Sequence, residues 1–388
     1  MVTLAKSRST ILSTGLAMFS MFFGAGNIVF PLALGQFTQD KNFFGVMGLI
    51  LTAVFVPLLG LLAMLLFDGH YSNFFRRIGK WPGFVVALLI LGLIGPFGGI
   101  PRCITISSST LEAFQTGSFT WINLPVFSAF SCILIFLFTY RPRRVLDLLG
   151  FVLTPVLLLS LALIVVKGLV MMPPSQHSSH TAWEAFSKGI VSGYNTMDLL
   201  AAFFFSSVVL LCLQKGEIKE RKNMLSTAVT GSLIAAILLS FVYICFSFLA
   251  AGYGATLSGI APDQLLGTLA QKLLGNQAGL VASITVCFAC FTTEIALTAI
   301  FADFLRTLLK EKISYPAALV ITLVLSFLVS TLHFGGISAL LAPVLQVCYP
   351  ALILLALLNI LYKLYDFKPV KSLFYGTLGT SLLIQLLT

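Results

Sequence analysis

Apolar residues run along this chain in long, nearly unbroken stretches, separated by short polar or charged interruptions from one end to the other. A helix that crosses the hydrocarbon of a bilayer needs roughly 20 such residues, because each backbone amide must find its partner inside the element. The stretches predict spans over about 10–34, 43–67, 83–108, 122–139, 147–171, 187–212, 224–251, 277–302, 315–332 and 339–361, and a shorter run covers 372–387. About eleven transmembrane helices in a single membrane domain, residues 1–388, are therefore expected.

Composition supports the same reading. Hydrophobic residues make up 58% of the chain and charged residues 9%, against about a quarter charged in an ordinary soluble domain. The first run is longer than the roughly 7–15 residues of a signal-peptide core and lacks a small-residue cleavage site after it, so it is expected to remain in the mature protein. The net charge of +10 could point to nucleic acid, but the placement of the charges excludes it. With the N-terminus inside, most basic residues fall in cytoplasmic segments, among them Lys6, Arg8, Arg76, Arg77, Lys80, Arg141, Arg143 and Arg144, whereas the opposite side holds Lys41, Lys167, Lys188 and Lys272. This positive-inside bias predicts a multi-pass inner-membrane protein with a cytoplasmic N-terminus.

The seven cysteines lie in or beside apolar spans, which argues against a secreted disulfide framework; Cys287 and Cys290 form a CxxC that reads as helix packing, since no second pair or nearby His completes a metal site. The four histidines fall in or near loops without a hydrolase or metalloprotease signature. A channel would need a filter sequence or a charged pore ring, and the chain has neither. An enzyme and a channel are thus disfavoured, no cofactor is called for, and nothing in the sequence sets an oligomeric state.

The polar loop 173–181 divides the first ten spans into two sets of five, residues 10–171 and 187–361, with 372–387 as an accessory helix. Because five is odd, the second set crosses with opposite polarity, which suggests inverted repeats. Transporters of that design break the first helix of each repeat at mid-membrane. Span one carries Gly24-Ala25-Gly26-Asn27 followed by Pro31, and span six carries Ser192-Gly193-Tyr194-Asn195-Thr196-Met197-Asp198. Glycine disfavours a helix interior, so unwinding is expected at both places. Close helix packing through small residues is the other reading of the same glycines. Broken helices offer N–H groups and positive dipole ends to a carboxylate and free carbonyls to an ammonium or a cation, without a dedicated charged side chain. The phenylalanines at 19, 22, 23 and 203–205 would suit an apolar substrate side chain.

FFGAGNIVFP at 22–31 resembles the first-helix signature of the bacterial branched-chain amino acid:cation symporters of the BrnQ type. Further matches follow in order: LIGPFGGIPR at 93–102, RPRRVLDLLGFVLTPVLLLSL at 141–161, GYNTMDLLAAFFF at 193–205, TTEIALTA at 292–299 and PVLQVCYPALI at 343–353. The resemblance implies an all-α, LeuT-like five-plus-five inverted-repeat transporter that imports leucine, isoleucine or valine with a coupling cation, Na⁺ in the first instance and H⁺ as the alternative. By the same analogy the substrate lies against Gly24, Ala25, Gly26 and Asn27 in span one and Gly193, Tyr194 and Asn195 in span six. The cation, held as Na⁺, lies between carbonyls near Ser20 and Phe23 and the hydroxyls of Thr292 and Thr293; back-bonding to the preceding helical turn is the plain alternative for that Thr pair. A carrier of another neutral amino acid in the same superfamily is the competing function.

Three features depart from the pattern. Glu294, an intramembrane carboxylate after the Thr pair, is a candidate coupling group or a partner for Arg102. Ser109 stands where the family leads one to expect an acidic residue, and the chain is shorter than relatives with twelve spans. Asp198 reads first as a cap for the second half of span six.

Overall fold

In the computed structural model, residues 2–114, 123–140, 154–173, 177–215 and 221–387 are described, and every regular element among them is helical. The Arg141–Arg144 cluster and the first part of the 141–161 motif lie outside the described residues. Seven helical stretches among the described residues are long and apolar enough to cross a membrane, and shorter apolar helices cover Ile11–Phe22, Leu124–Thr139, Leu158–Val170 and Tyr315–Ser330. The outward faces carry large apolar side chains such as Phe55, Ile133, Leu137 and Phe241, whereas Asn27, Arg102, Asp198 and Glu294 are buried inside. An apolar exterior around an apolar core with a few buried polar groups matches hydrocarbon as the solvent.

Span one is two helices, α1 (Val2–Phe22) and α2 (Ala25–Thr38), interrupted at Phe23 and Gly24. Pro31 inside α2 has no N–H to give the carbonyl of Asn27, so the first turn after the break is short of a backbone bond. Span two is likewise composite: α3 (Asn42–Ile50) passes through a π-helical turn, Leu51–Phe55, into α4 (Val56–Leu65). Pro57 at the start of α4 accounts for the irregular turn, since it cannot donate to the carbonyl of Ala53.

Span three differs from the sequence expectation of one helix over 83–108. It consists of α5 (Lys80–Ile94) and α6 (Gly99–Glu112), separated by the turn Gly95-Pro96-Phe97-Gly98. The chain doubles back so tightly that a Cβ on Gly99 would stand 1.9 Å from the carbonyl oxygen of Ile94, and one on Gly98 2.3 Å from that of Leu93. No residue but glycine fits there.

After α7 (Leu124–Thr139) and α8 (Thr154–Val170), span six starts with α9 (Ala182–Thr196) and continues as α10 (Asp198–Lys215). The joint is Met197, held in the left-handed region at φ 63°. Thr181 caps α9 by accepting from the Glu184 N–H at 3.2 Å, while Glu184 Oε2 accepts from the Thr181 N–H at 2.8 Å. The remaining helices are α11 (Arg221–Gly252), α12 (Leu265–Leu308), α13 (Tyr315–Ser330), α14 (His333–Tyr365) and α15 (Val370–Leu387). Gly275, at φ 76°, kinks α12 two residues before the predicted start of its span.

Helices α1 and α2 lie along α11, α9 lies along α3, and α6 lies along α12. The α3–α9 contact is made of glycines: a Cβ on Gly189 would fall 2.0 Å from the carbonyl oxygen of Gly45, and one on Gly48 2.3 Å from that of Phe186. Such closeness lets bare backbones touch, and dispersion between them replaces the hydrophobic drive that lipid cannot supply. α15 packs against α14, with Val370 and Phe374 its buried residues, and Tyr375 donates its hydroxyl to the Ile78 carbonyl at 2.8 Å.

Candidate functional site

The two broken helices meet. A Cβ on Gly26 would lie 3.1 Å from both the Cα and the carbonyl oxygen of Thr196, so the start of α2 rests directly on the end of α9. Asn27 ties the joint together. Its Oδ1 accepts from the Gly24 N–H at 3.0 Å, capping α2 in place of the missing helical bond, and its Nδ2 donates to Asp198 Oδ1 at 3.0 Å and Oδ2 at 2.9 Å. The Tyr243 hydroxyl of α11 contacts Asn27 Nδ2 and donates to Asp198 Oδ2 at 2.8 Å. Asp198 therefore does more than open α10: it binds spans one, six and seven through one carboxylate, a tertiary role beside the helix cap read from the sequence.

A small cavity of about 50 Å³ lies at this meeting point. Gly24, Ala25, Gly26 and Asn27 line it, together with Arg102 and Cys103 from α6, Thr196, Met197 and Asp198 from the span-six joint, and Thr293 and Leu297 from α12. Its apolar wall includes Met21, Phe22, Ile94 and Phe205, and the Phe22 and Phe205 rings meet edge to face at 5.4 Å. Phe22 and Asp198 also line a second, largely apolar cavity of about 20 Å³ between α4 and α11, so these two side chains form part of the wall between the two spaces.

The span-one residues expected at a binding site are thus at the cavity, whereas those of span six are displaced by a few positions. Gly193 lies against Thr52, where a Cβ would stand 2.0 Å from the hydroxyl oxygen, and its glycine serves helix packing. Tyr194 stacks on Tyr349 with ring centroids 4.7 Å apart, and the Asn195 side chain bonds back to the Val191 carbonyl at 2.9 Å. Thr196, Met197 and Asp198 line the cavity instead. The GYNT glycine marked the region but not the joint, which falls one turn later at a methionine with no conformational signature of its own.

Of the residues named for a cation, Thr293 and Phe23 come together: the Thr293 hydroxyl is 3.3 Å from the Phe23 carbonyl oxygen at the end of α1. Oxygen ligands of this kind suit a hard cation. Thr292 donates its hydroxyl to the Ala289 carbonyl at 2.8 Å within its own helix, and Ser20, half-buried on α1, is not among the residues lining the cavity. Glu294 is buried beside Cys103 and is not among the residues lining the cavity. Among the described residues it has neither a hydrogen bond nor an ion pair, and Arg102, suggested by the sequence as its partner, spends its donors elsewhere.

Arg102 itself was visible in the sequence only as a basic residue inside a span. It is 1% exposed. Its Nη1 donates to the Asn195 carbonyl at 2.8 Å and its Nη2 to the Ser338 hydroxyl at 3.4 Å, while Nε has no partner. The guanidinium carbon lies 5.3 Å from the Phe30 ring centroid and 5.8 Å from that of Phe334. The GPFGG turn of span three is what delivers it: the turn starts α6 at mid-span, and Arg102 falls in its first turn.

This fold is shared by solved transporters of low sequence similarity. The inward-facing structure of Mhp1 superposes with a TM-score of 0.66 at 12% identity, covering 97% of this chain and 89% of that one. MhsT in complex with L-phenylalanine gives 0.63 at 14% identity, covering 97% and 98%. In sequence, the chain is 29% identical to the branched-chain amino acid permease BrnQ of Bacillus subtilis over 391 residues, 98% of this chain and 87% of the permease. The model of the branched-chain amino acid transport protein family matches residues 7–388. With broken helices meeting at an internal cavity and this match over nearly its whole length, the chain belongs to the family of branched-chain amino acid transport proteins, multi-pass membrane transporters and not enzymes.

Proposed function

We propose that the protein is a secondary active symporter that imports leucine, isoleucine or valine with a coupling cation, Na⁺, across a bacterial inner membrane in which its N-terminus is cytoplasmic. The observation that carries this reading is the cavity where the breaks of spans one and six meet. It brings the two breaks together with the polar side chains of Asn27, Arg102, Thr196, Asp198 and Thr293 and the apolar side chains of Met21, Phe22, Ile94, Phe205 and Leu297. An α-amino acid with a branched hydrocarbon side chain likewise joins polar groups to an apolar one. The Thr293 hydroxyl and the Phe23 carbonyl, at the edge of the break, supply oxygens for the cation.

The repeats of this reading are residues 10–171 and 187–361, with α15 as an accessory helix outside the transport core. Spans one and six lead the two halves, and their joints are the moving parts of alternating access.

Proteoliposome uptake tests it. Radiolabelled leucine, isoleucine, valine, phenylalanine and alanine are each offered under an imposed Na⁺ gradient and then under a pH gradient. Accumulation of the branched-chain substrates under the Na⁺ gradient is expected. If none of the three is accumulated under either gradient, the reading fails. Accumulation under the pH gradient alone keeps the substrate class and moves coupling from the Thr293 oxygens to a buried carboxylate, Asp198 or Glu294.

A further inference from the structure

Two charges of opposite sign face the cavity, and among the described residues neither has an ionic partner. Arg102 is held by a carbonyl and a hydroxyl, with Nε left over. Asp198, 2% exposed, is held by the Asn27 amide and the Tyr243 hydroxyl. The two are not paired with each other, although both line the same space. Each sits at an end of a half-helix of span six: Arg102 meets the carbonyl end of α9 at Asn195, and Asp198 opens the amide end of α10. Those ends carry about half an elementary charge apiece, which orients the side chains but leaves part of each charge uncompensated. Burying such charges inside a membrane protein is costly unless a partner arrives.

A zwitterion brings both partners at once. We infer that Arg102 and Asp198 are the two poles of a receptor for the α-amino acid head group, the Arg102 guanidinium taking the substrate carboxylate through its free Nε edge and Asp198 taking the ammonium. This rests on the proposed amino-acid transport and deepens it: recognition of the head group comes from two side chains 96 positions apart as well as from unwound backbone. Between the poles the apolar wall of Met21, Phe22 and Phe205 receives the side chain. The site then demands a free amino group and a free carboxylate on one carbon, and rejects ligands lacking either.

The test pairs changes on the ligand with changes on the full-length protein, read as ligand-dependent thermal shift in detergent, which also reports folding. Leucinamide keeps the ammonium and lacks the carboxylate; 4-methylpentanoate keeps the carboxylate and lacks the ammonium. Wild-type protein is expected to bind leucine at least about 100-fold more tightly than either analogue, because a buried polar pole left empty is strongly penalised. In R102Q, leucine should fall to within about threefold of leucinamide, whose own affinity stays near its wild-type value. In D198N, leucine should fall in the same way to the level of 4-methylpentanoate. Where a neutral variant shows no cooperative melt, R102K and D198E replace it. They are expected to weaken leucine about tenfold or more and the analogue lacking the matching group by less than about threefold. Leucine-to-analogue ratios that stay at the wild-type value in the variants overturn this inference alone. A wild-type chain that binds none of leucine, isoleucine and valine overturns the transport reading, and this inference with it.

Discussion

Two adjacent threonines on α12 show how one residue step separates a hydroxyl spent inside its own helix from one that reaches the break in span one. Thr292 returns its hydroxyl to Ala289 at 2.8 Å, the common local bond of a helical threonine. Thr293 divides its hydroxyl between Ala289 and the Phe23 carbonyl, each at 3.3 Å, and it lines the cavity. Valine has the same shape without the oxygen. T293V is expected to raise the Na⁺ concentration for half-maximal leucine uptake about tenfold, the size of one lost oxygen ligand at roughly 1–1.5 kcal/mol, and T292V is expected to leave it unchanged; both are read from uptake against external Na⁺. The pair was legible in the sequence as a unit, because two hydroxyls inside a span are conspicuous. Which of them faces the first span was not, since that depends on the rotation of α12 against α1. The same holds for Arg102 and Asp198. Each is visible as a charge in an apolar run, but that they share a cavity follows only from the packing of spans one, three and six.

At the scale of elements, the breaks were readable where the backbone advertises them and obscure where packing decides. Gly24-Ala25-Gly26-Asn27 marks the first break to within a residue, because glycine lowers the cost of unwinding and Asn27 can cap the helix that follows. In span six the joint falls inside the expected segment 192–198, but not at its glycine. Gly189 and Gly193 are glycine so that α9 can rest on α3 and Thr52, and the joint itself is at Met197. In span three the GPFGG turn was quoted as a motif and yet read through as helix, although Gly98 and Gly99 admit no side chain. The α3–α9 contact gives a direct prediction. G189A puts a methyl group 2.0 Å from a backbone oxygen that cannot rotate away, so the helices must separate. A loss of about 1–3 kcal/mol is expected, seen as a lower melting temperature of the purified protein, whereas alanine at Gly376, which has open space around it, should be neutral.

The molecule is apolar on its outward faces as well as in its core, with a few polar and charged side chains buried between the spans, and the run lengths alone made the apolar exterior plain. What they could not show is how the first five spans and the following ones are fastened together outside the apolar core. One fastening lies just beyond α2. Asp40 accepts from the Ser178 N–H at 2.9 Å and meets His177 Nδ1 at 3.2 Å and Lys41 Nζ at 2.9 Å, linking the turn after span one to the approach to span six. Lys41, Ser178 and His177 hold the Asp40 carboxyl well below its ordinary value of 3.8. A value lowered by folding means that the tie contributes fully above the ordinary carboxylate range and is lost as pH falls through the folded value. D40N should therefore melt below wild type by a constant interval from neutral pH down to about 5, and the interval should shrink below about pH 4, where Asp40 of the unfolded chain takes up its proton while the folded carboxylate still resists it. Thermal melts across that range check it.

The contact of Gly26 with the Thr196 backbone also has a mechanical meaning. Two interrupted helices that touch at their interruptions share one pivot, and the Asn27–Asp198 bonds act as its pin. α1 is 21 residues long, which at about 1.5 Å of rise per residue makes a lever arm of about 30 Å. A rotation of only about 5° at the break would then sweep the far end of α1 through about 2.5 Å, with α2, on the other side of the break, still seated on α9.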